Sequence, residues 1–189
     1  MDNITFRPAT RDDAPDLVRL TRALAADMGR EGEVAATVED VAAGLFGEGA
    51  GEAVVVEHAE AGVVGCAIFC RTYSAWTGRC GIYLEDLFIE GPYRGGGVGR
   101  ALMAHLAELC EQRGWARLSW HCRTTNGAGL RFYERLGAAR IDAMMLHRLE
   151  GASLAALAGE AAAAPGTVPA SAPASASDSA ANAASEEVR

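Results

Sequence analysis

Four glycines fall within residues 95–99, in the stretch YRGGGVGR that runs from residue 93 to residue 100. Glycine destabilises the interior of a helix or strand, so this cluster marks a connection between regular elements. A strand-like run, GIYLEDLFI, precedes it. A helix-like apolar stripe follows, formed by Val98, Leu102, Leu106 and Leu109. The chain therefore contains a strand, a glycine loop and a helix in succession, and the backbone N–H groups at such a junction can bind a phosphate.

Six segments have the composition of β-strands. They are ITFRPA, EAVVVEH, GVVGCAIFCRTYS, GIYLEDLFI, ARLSWHC and DAMMLHRL. The turn-like segments GEGAGEA and AEAG adjoin the second of them. Three consecutive strands followed by a β-α-β unit predict a mixed sheet with helices on its faces.

Four segments have helical patterns. Thr10 can cap a first helix that runs to about Gly29, and Thr37 can cap a second helix that runs through Phe46. The helix behind the glycine loop extends to about residue 113. A fourth helix, NGAGLRFYERLG, ends with the glycine that a C-terminal cap requires. The predicted order of elements is therefore β-α-α-β-β-β-α-β-α-β.

The composition changes near residue 150. Residues 151–189 are mostly Ala, Ser, Gly and Pro, with no aromatic residue. Such a segment cannot bury enough apolar area to offset its ordering entropy. We therefore expect one folded domain at 1–150 and a disordered tail at 151–189, in which Ala and Leu favour a short helix around residues 153–164.

Charge and cysteine usage narrow the class of protein. The formal net charge of −8 argues against a nucleic-acid partner. The N-terminus lacks the form of a signal peptide, and no run of eighteen apolar residues exists, so we expect a cytoplasmic protein with no membrane partner. The odd set of cysteines has no C-x-x-C pair, which predicts free thiols and no metal site: Cys66, Cys70, Cys80, Cys110 and Cys122.

The spacing of the glycine loop narrows the phosphate ligand. The chain has no lysine, which excludes a Walker A loop, and Arg100 stands where a Rossmann loop needs its third glycine. What remains is R-x-x-G-x-G, carried by Arg94, Gly97 and Gly99. The alternative is a flexible turn that binds no ligand.

This pattern closely resembles the pyrophosphate loop of the GNAT (Gcn5-related) N-acetyltransferases. The resemblance covers most of residues 3–149. YSAWTGRCGIYLEDLFIEGPYRGGGVGRAL and ARLSWHCRTTNGAGLRFYERLGA are similar to the diamine and thialysine N-acetyltransferase branch. The resemblance implies an α/β (α+β) fold with a mixed, mostly antiparallel central sheet of 6–7 strands and about four flanking helices. It also implies an acyltransferase that uses acetyl-CoA as cosubstrate, acts on an amine without an acyl-enzyme, and forms a homodimer.

The resemblance assigns cofactor binding to the strand end, the glycine loop and the fourth helix. The residues are Leu87, Phe88, Ile89, Arg94, Gly95, Gly96, Gly97, Val98, Gly99, Arg100, Asn126 and Tyr133. The apolar strand residues line the pantetheine arm in this interpretation, and core packing is their alternative role. For the asparagine the alternative is a helix N-cap.

Two catalytic roles also follow from the resemblance. The attacking amine must lose a proton, and the departing sulfur benefits from gaining one. The resemblance makes Tyr133 the general acid, Glu85 the general base and Asp86 a binder of the cationic amine. The alternatives are a packed helix aromatic for the tyrosine, and a solvated strand end or an ion pair with Arg71 or Arg79 for the acids. The sequence does not decide which acid is the base.

The acceptor site is the least defined. Tyr73 and Trp76 can wall it, because an aromatic face attracts an alkylammonium group, or they can pack under a loop. Polyamine enzymes carry an acid before this tryptophan and a tryptophan before the asparagine, where this chain has Ala75 and Thr125. Diamines, polyamines and thialysine-like amino acids therefore remain open as substrates. A protein or peptide N-acetyltransferase and a non-catalytic acyl-CoA-binding module are the rival hypotheses.

Overall fold

The computed structural model describes residues 3–49 and 51–163. They divide into two units, one that ends at Ala139 and one that begins at Arg140. The expected domain boundary near residue 150 stays a prediction, and most of the expected tail, residues 164–189, lies outside the described residues.

The described residues of the first unit form one sheet and four α-helices. Along the chain they are β1 (Ile4–Pro8), α1 (Ala14–Asp27), α2 (Val38–Phe46), β2 (Gly51–His58), β3 (Gly62–Ser74), β4 (Arg79–Ile89), α3 (Val98–Gln112), β5 (Leu118–Trp120) and α4 (Gly127–Arg135). The strands lie in chain order; β1 to β4 are antiparallel and β5 joins β4 in parallel. The mixed, mostly antiparallel α+β fold is confirmed, with five strands in the described residues instead of 6–7.

Helices cover both faces of the sheet. Leu17 and Leu20 of α1 are fully buried against one face, in a cluster that includes Val55 of β2. Leu102 and Leu106 of α3 are fully buried against the other face, in the larger cluster. Alternate strand residues supply the two clusters, as the pleat of a strand requires.

Local capping signals fix two of the predicted helix ends. The Thr37 hydroxyl accepts a hydrogen bond from the Asp40 N–H at 3.1 Å, and the Asp40 carboxylate accepts one from the Thr37 N–H at 2.9 Å. This reciprocal pair starts α2 as predicted. Gly137 follows α4 with φ +84°, and its N–H donates a hydrogen bond to the backbone carbonyl of Glu134 at 2.9 Å. Thr10 instead precedes a 3-10 turn, and α1 begins four residues after it.

The predicted sixth strand, DAMMLHRL, is wrong. Residues 142–149 form no strand, and every one of them is exposed. Alternating apolar residues favour an extended backbone, but a strand also needs a hydrogen-bonded neighbour, which a local pattern cannot supply. The second unit contains one helix among its described residues, α5 (Gly151–Ala163), close to the short helix expected there.

Candidate active site

The edge of β4 opens where β5 ends. The parallel register between the two strands stops at the pair Leu84 and Trp120, whereas β4 continues to Ile89. Beyond that pair, β5 does not cover the backbone groups on this side of β4. An extended ligand with amide groups can hydrogen bond to such an edge.

A cavity of about 480 Å³ lies along this open edge. It brings together nine of the predicted cofactor-binding residues: Leu87, Ile89, Arg94, Gly95, Gly97, Gly99, Arg100, Asn126 and Tyr133. Phe88 is buried in the α1 cluster, and Val98 is buried in the α3 cluster, so these two pack in the core. Gly96 is exposed on the same loop.

The glycine loop places N–H groups without an intrahelical acceptor beside the cavity. Gly95 and Gly97 have φ of +82° and +88°, a conformation that favours glycine. The first intrahelical bond behind the loop joins the Ala101 N–H to the carbonyl of Gly97 at 3.0 Å. The N–H groups of residues 98–100 precede that bond and have no intrahelical acceptor. A side chain at Gly95 or Gly96 would extend into the open space beside the loop. Because glycine has no side chain, this space remains open as a cradle for a diphosphate.

Arg94 is fixed by contacts within the protein. Its Nε donates to the carbonyl of Ile89 at 2.6 Å, and Nη2 donates to Asp27 Oδ2 at 2.6 Å. Its guanidinium carbon lies 5.0 Å from the centroid of the Phe88 ring. Arg94 therefore ties the start of the glycine loop to β4 and α1, and its contact with phosphate stays a prediction.

The position of Asn126 is compatible with both of the roles considered for it, the N-cap of α4 and the contact with the cofactor. Its Oδ1 accepts a hydrogen bond from the Gly129 N–H at 2.9 Å, which caps α4. A Cβ at position 129 would lie 2.6 Å from the asparagine Nδ2, so the cap requires glycine there. Asn126 also lines the cavity, where it can contact a ligand.

Tyr133 is half-buried at the wall of the cavity. Its ring centroid lies 4.9 Å from that of Trp120 and 5.1 Å from that of Phe132. Burial raises the pKa of the Tyr133 hydroxyl to about 12, and the charge of Cys122 makes a smaller contribution. The hydroxyl consequently keeps its proton at neutral pH.

A β-bulge separates the two acids of β4. Ile68 pairs with Asp86 and Phe69 pairs with Leu84, so Glu85 is an extra residue in the register. Glu85 is exposed, whereas Asp86 is partly buried. Burial raises the pKa of the Asp86 carboxyl, and the charge of Glu85 raises it further. Neither acid forms an ion pair with Arg71 or Arg79, both within the described residues.

Asp86 lines a second cavity, of about 220 Å³, that α1 and the turn after it enclose. The charged residues of this turn, Arg30 and Glu33, were not predicted from the sequence. No local pattern marks them, because only the tertiary fold brings them to β4. Tyr73 and Trp76 are 64% and 100% exposed and line neither cavity, so their acceptor role stays a prediction.

Three further observations concern the described residues alone. They contain no group of three or more side chains placed to hold a metal ion. No helix among them has the length and hydropathy needed to cross a membrane. All five cysteines are free, and two of them, Cys66 and Cys110, are buried.

Comparison with known proteins identifies the class that this fold and site define. The model of the acetyltransferase (GNAT) family matches residues 19–138, and the chain belongs to that family. GNAT acetyltransferases use acetyl-CoA as cosubstrate, and the glycine cradle suits its diphosphate. The chain is therefore an acyltransferase, as predicted.

The individual relatives include several small-molecule acetyltransferases. A thialysine N-epsilon-acetyltransferase of Mus musculus is 30% identical in an alignment of 175 residues that covers 84% of this chain and 99% of that protein. An L-ornithine N5-acetyltransferase of Arabidopsis thaliana is 33% identical over 95 residues, which are 50% of this chain and 42% of that protein. An integron cassette protein from the mobile metagenome of V. cholerae has a similar structure. Its TM-score is 0.70 at 26% identity, over 84% of this chain and 99% of that one.

Proposed function

We propose that the protein transfers the acetyl group of acetyl-CoA to the primary amine of a small molecule, a diamine, a polyamine or a thialysine-like amino acid. One observation carries the proposal. Consecutive residues of β4, Asp86 and Leu87, line two different cavities. The larger cavity has the glycine cradle and the smaller has a carboxylate. A thioester and a cationic amine can thus approach the same point of one strand from opposite sides. The thialysine and ornithine acetyltransferases among the relatives support an amine acceptor.

The larger cavity binds the cosubstrate in this proposal. Acetyl-CoA supplies an acetyl group activated as a thioester. The N–H groups of residues 98–100 and the Arg100 guanidinium bind its diphosphate. The backbone of Leu87 and Ile89, at the open edge of β4, pairs with the amides of its pantetheine arm. The binding is therefore mainly through the backbone, which explains why the loop needs glycines.

Tyr133 acts as the general acid. Its raised pKa keeps the hydroxyl protonated, so a donor is available whenever negative charge develops on the departing sulfur. A thiol has an ordinary pKa of about 8.5, well below that of Tyr133, so full transfer of the proton to the free thiolate is uphill and the hydroxyl acts chiefly by donating a hydrogen bond to the departing sulfur. We therefore expect a contribution near the lower end of general acid catalysis, about 10²-fold.

Glu85 acts as the general base and Asp86 binds the amine. The bulge leaves Glu85 exposed, where water can carry the proton between the ammonium and its carboxylate. The partly buried Asp86 holds the cationic group at the end of the smaller cavity. Glu85→Gln should lower kcat, whereas Asp86→Asn should mainly raise the KM for the amine. The opposite pattern would exchange the two roles.

Release of free thiol from acetyl-CoA, measured across a panel of amines, tests the proposal. Tyr133→Phe should lower kcat about 10²-fold between pH 7 and pH 9 and should leave the calorimetric Kd for CoA within about twofold. Tyr93→Phe is the matched control, because it removes a hydroxyl outside both cavities. With a pKa of about 12, Tyr133 is protonated below about pH 11 and should cause no loss of wild-type activity there.

The same panel separates the rival functions. Full activity in Tyr133→Phe removes the tyrosine as the acid. Thiol release with peptides but not with small amines indicates a protein or peptide acetyltransferase. Calorimetric binding of acetyl-CoA with no thiol release from any acceptor indicates a non-catalytic acyl-CoA-binding module.

A further inference from the structure

The smaller cavity changes in charge from its inner end to its mouth. Asp86 is the partly buried carboxylate at the inner end. Arg30 and Glu33 are exposed, with 41% and 57% of their side chains accessible, and they form the mouth. The aliphatic side chains of Leu24 and Val34 line the cavity together with these charges. A ligand that fills the cavity contacts the Asp86 carboxylate at the inner end, the apolar wall along its length, and the Arg30 guanidinium beside the Glu33 carboxylate at the mouth.

The charged groups at the mouth pair with each other at the protein surface. Arg30 Nε donates to Glu33 Oε1 at 2.6 Å, and Arg30 Nη2 donates to the other oxygen. This contact lowers the pKa of Glu33, and Arg123 adds a smaller contribution from nearby. Ion pairs at an exposed surface contribute little free energy, about 0–1 kcal/mol. Arg30 also has further N–H donors, because a guanidinium carries five. A ligand can therefore bind Arg30 without a large cost in lost contacts.

We propose that this cavity selects an amino acid with a terminal amine, and selects it over the corresponding diamine. The inference rests on the proposed function, in which Asp86 holds the amine that is acetylated. Arg30 binds the α-carboxylate of the acceptor, Glu33 binds its α-ammonium group, and the aliphatic wall contacts its methylene chain. The three ligand charges then face three protein charges of opposite sign.

A diamine or polyamine lacks the group that Arg30 binds. Its second ammonium can pair with Glu33, as the α-ammonium of the amino acid does, but without a carboxylate nothing in the ligand offsets the repulsion between that ammonium and the Arg30 guanidinium. The volume of about 220 Å³ is also below the 300–1,000 Å³ range of pockets for drug-sized ligands. The cavity therefore fits one short chain with a zwitterionic end, and does not fit a long cation.

Matched pairs of acceptors test the inference. L-ornithine, L-lysine and L-thialysine are each compared with the diamine that remains when the carboxylate is removed. Thiol release gives kcat/KM for each member, and mass spectrometry of the product locates the acetyl group. The wild type should prefer each amino acid by about tenfold or more, which corresponds to one hydrogen bond to a charged group. The acetyl group should be on the terminal amine.

Variants of the mouth assign the preference to Arg30. Arg30→Gln should reduce the ratio of the two kcat/KM values to about one by weakening the amino acid alone. Arg30→Lys should restore part of the ratio. Arg22→Gln is the control, because it removes an exposed arginine of α1 that does not line the cavity. A wild type that accepts the diamines equally well, or an Arg30→Gln variant that loses both substrates equally, overturns the inference.

Calorimetry distinguishes this failure from failure of the proposed function. The same acceptor pairs are titrated into the full chain saturated with CoA. Tighter binding of the amino acids with no turnover supports the inference and contradicts the proposed activity. Turnover without preference contradicts the inference and leaves the proposed activity standing. Absence of both turnover and binding contradicts both.

Discussion

Replacing Gly97 by alanine isolates the contribution of the left-handed loop conformation to cosubstrate binding. Gly97 has φ +88° and sits directly before the first turn of α3. An L-residue in this region costs about 1–2 kcal/mol, and the smaller unfolded-state entropy of alanine offsets part of that cost. We expect the free energy of unfolding to fall by about 1 kcal/mol. Relief of the strain should also rotate the neighbouring peptide units away from the site proposed for the diphosphate.

The expected loss of affinity for CoA follows from the N–H donors that no longer face the diphosphate. A hydrogen bond to a charged group contributes about 1.5–3 kcal/mol, so misplacing one donor should raise the Kd for CoA about tenfold to a hundredfold. Isothermal titration calorimetry measures the Kd, and urea unfolding measures the stability.

Gly114→Ala is the matched control for this experiment. Gly114 follows the other end of α3 with φ +64°, and a Cβ there would meet open space. Its alanine variant should lose a similar amount of stability and keep the wild-type Kd for CoA. If both variants weaken CoA binding equally, or if Gly97→Ala binds CoA normally, the loop geometry does not determine cosubstrate binding.

Two further predictions concern stability. Arg7, together with Thr10, holds the pKa of the buried Asp13 carboxyl at about 2, below the ordinary 3.8. The lowered pKa contributes to the free energy of unfolding above pH 4, and this contribution is lost as the pH falls through about 2. Asp13→Asn should therefore lower the free energy of unfolding, measured by urea melts, by about 2 kcal/mol at pH 7 and by less at pH 3. The adjacent Asp12→Asn is the control. Equal differences at the two pH values would contradict this prediction. Thr37→Ala removes the cap of α2 and should cost about 1 kcal/mol by the same assay, whereas Thr37→Ser should retain most of it; no loss in the alanine variant would show that packing alone fixes this helix start.

Local patterns predict the parts of this fold that local interactions determine. The start of α2 and the end of α4 depend on residues within one turn, Thr37 and Gly137, and both were predicted. The extent of β5 was overestimated, because seven residues have a strand pattern and only Leu118–Trp120 pair with β4. Pairing partners lie far apart in the sequence, so composition alone cannot show where a ladder stops.

The candidate site shows the same division. The glycine spacing predicts the loop, and the structure brings most of the predicted cofactor residues to one cavity. The bulge at Glu85 depends on the register with β3, which the sequence does not reveal. The pairing of Arg94 with Asp27 and the position of Arg30 near Asp86 also arise from tertiary packing. Residue types could therefore be predicted, whereas their orientation could not.

The early end of β5 has a consequence for the persistence of the protein in a cell. A molecule that hydrogen bonds to the uncovered rim of β4 can bind only the folded state. The concentration of that molecule therefore changes the folding equilibrium. At a free concentration one hundred times its Kd, such a ligand adds about 2.7 kcal/mol to the free energy of unfolding. Resistance of this enzyme to proteases should therefore rise and fall with the acetyl-CoA supply.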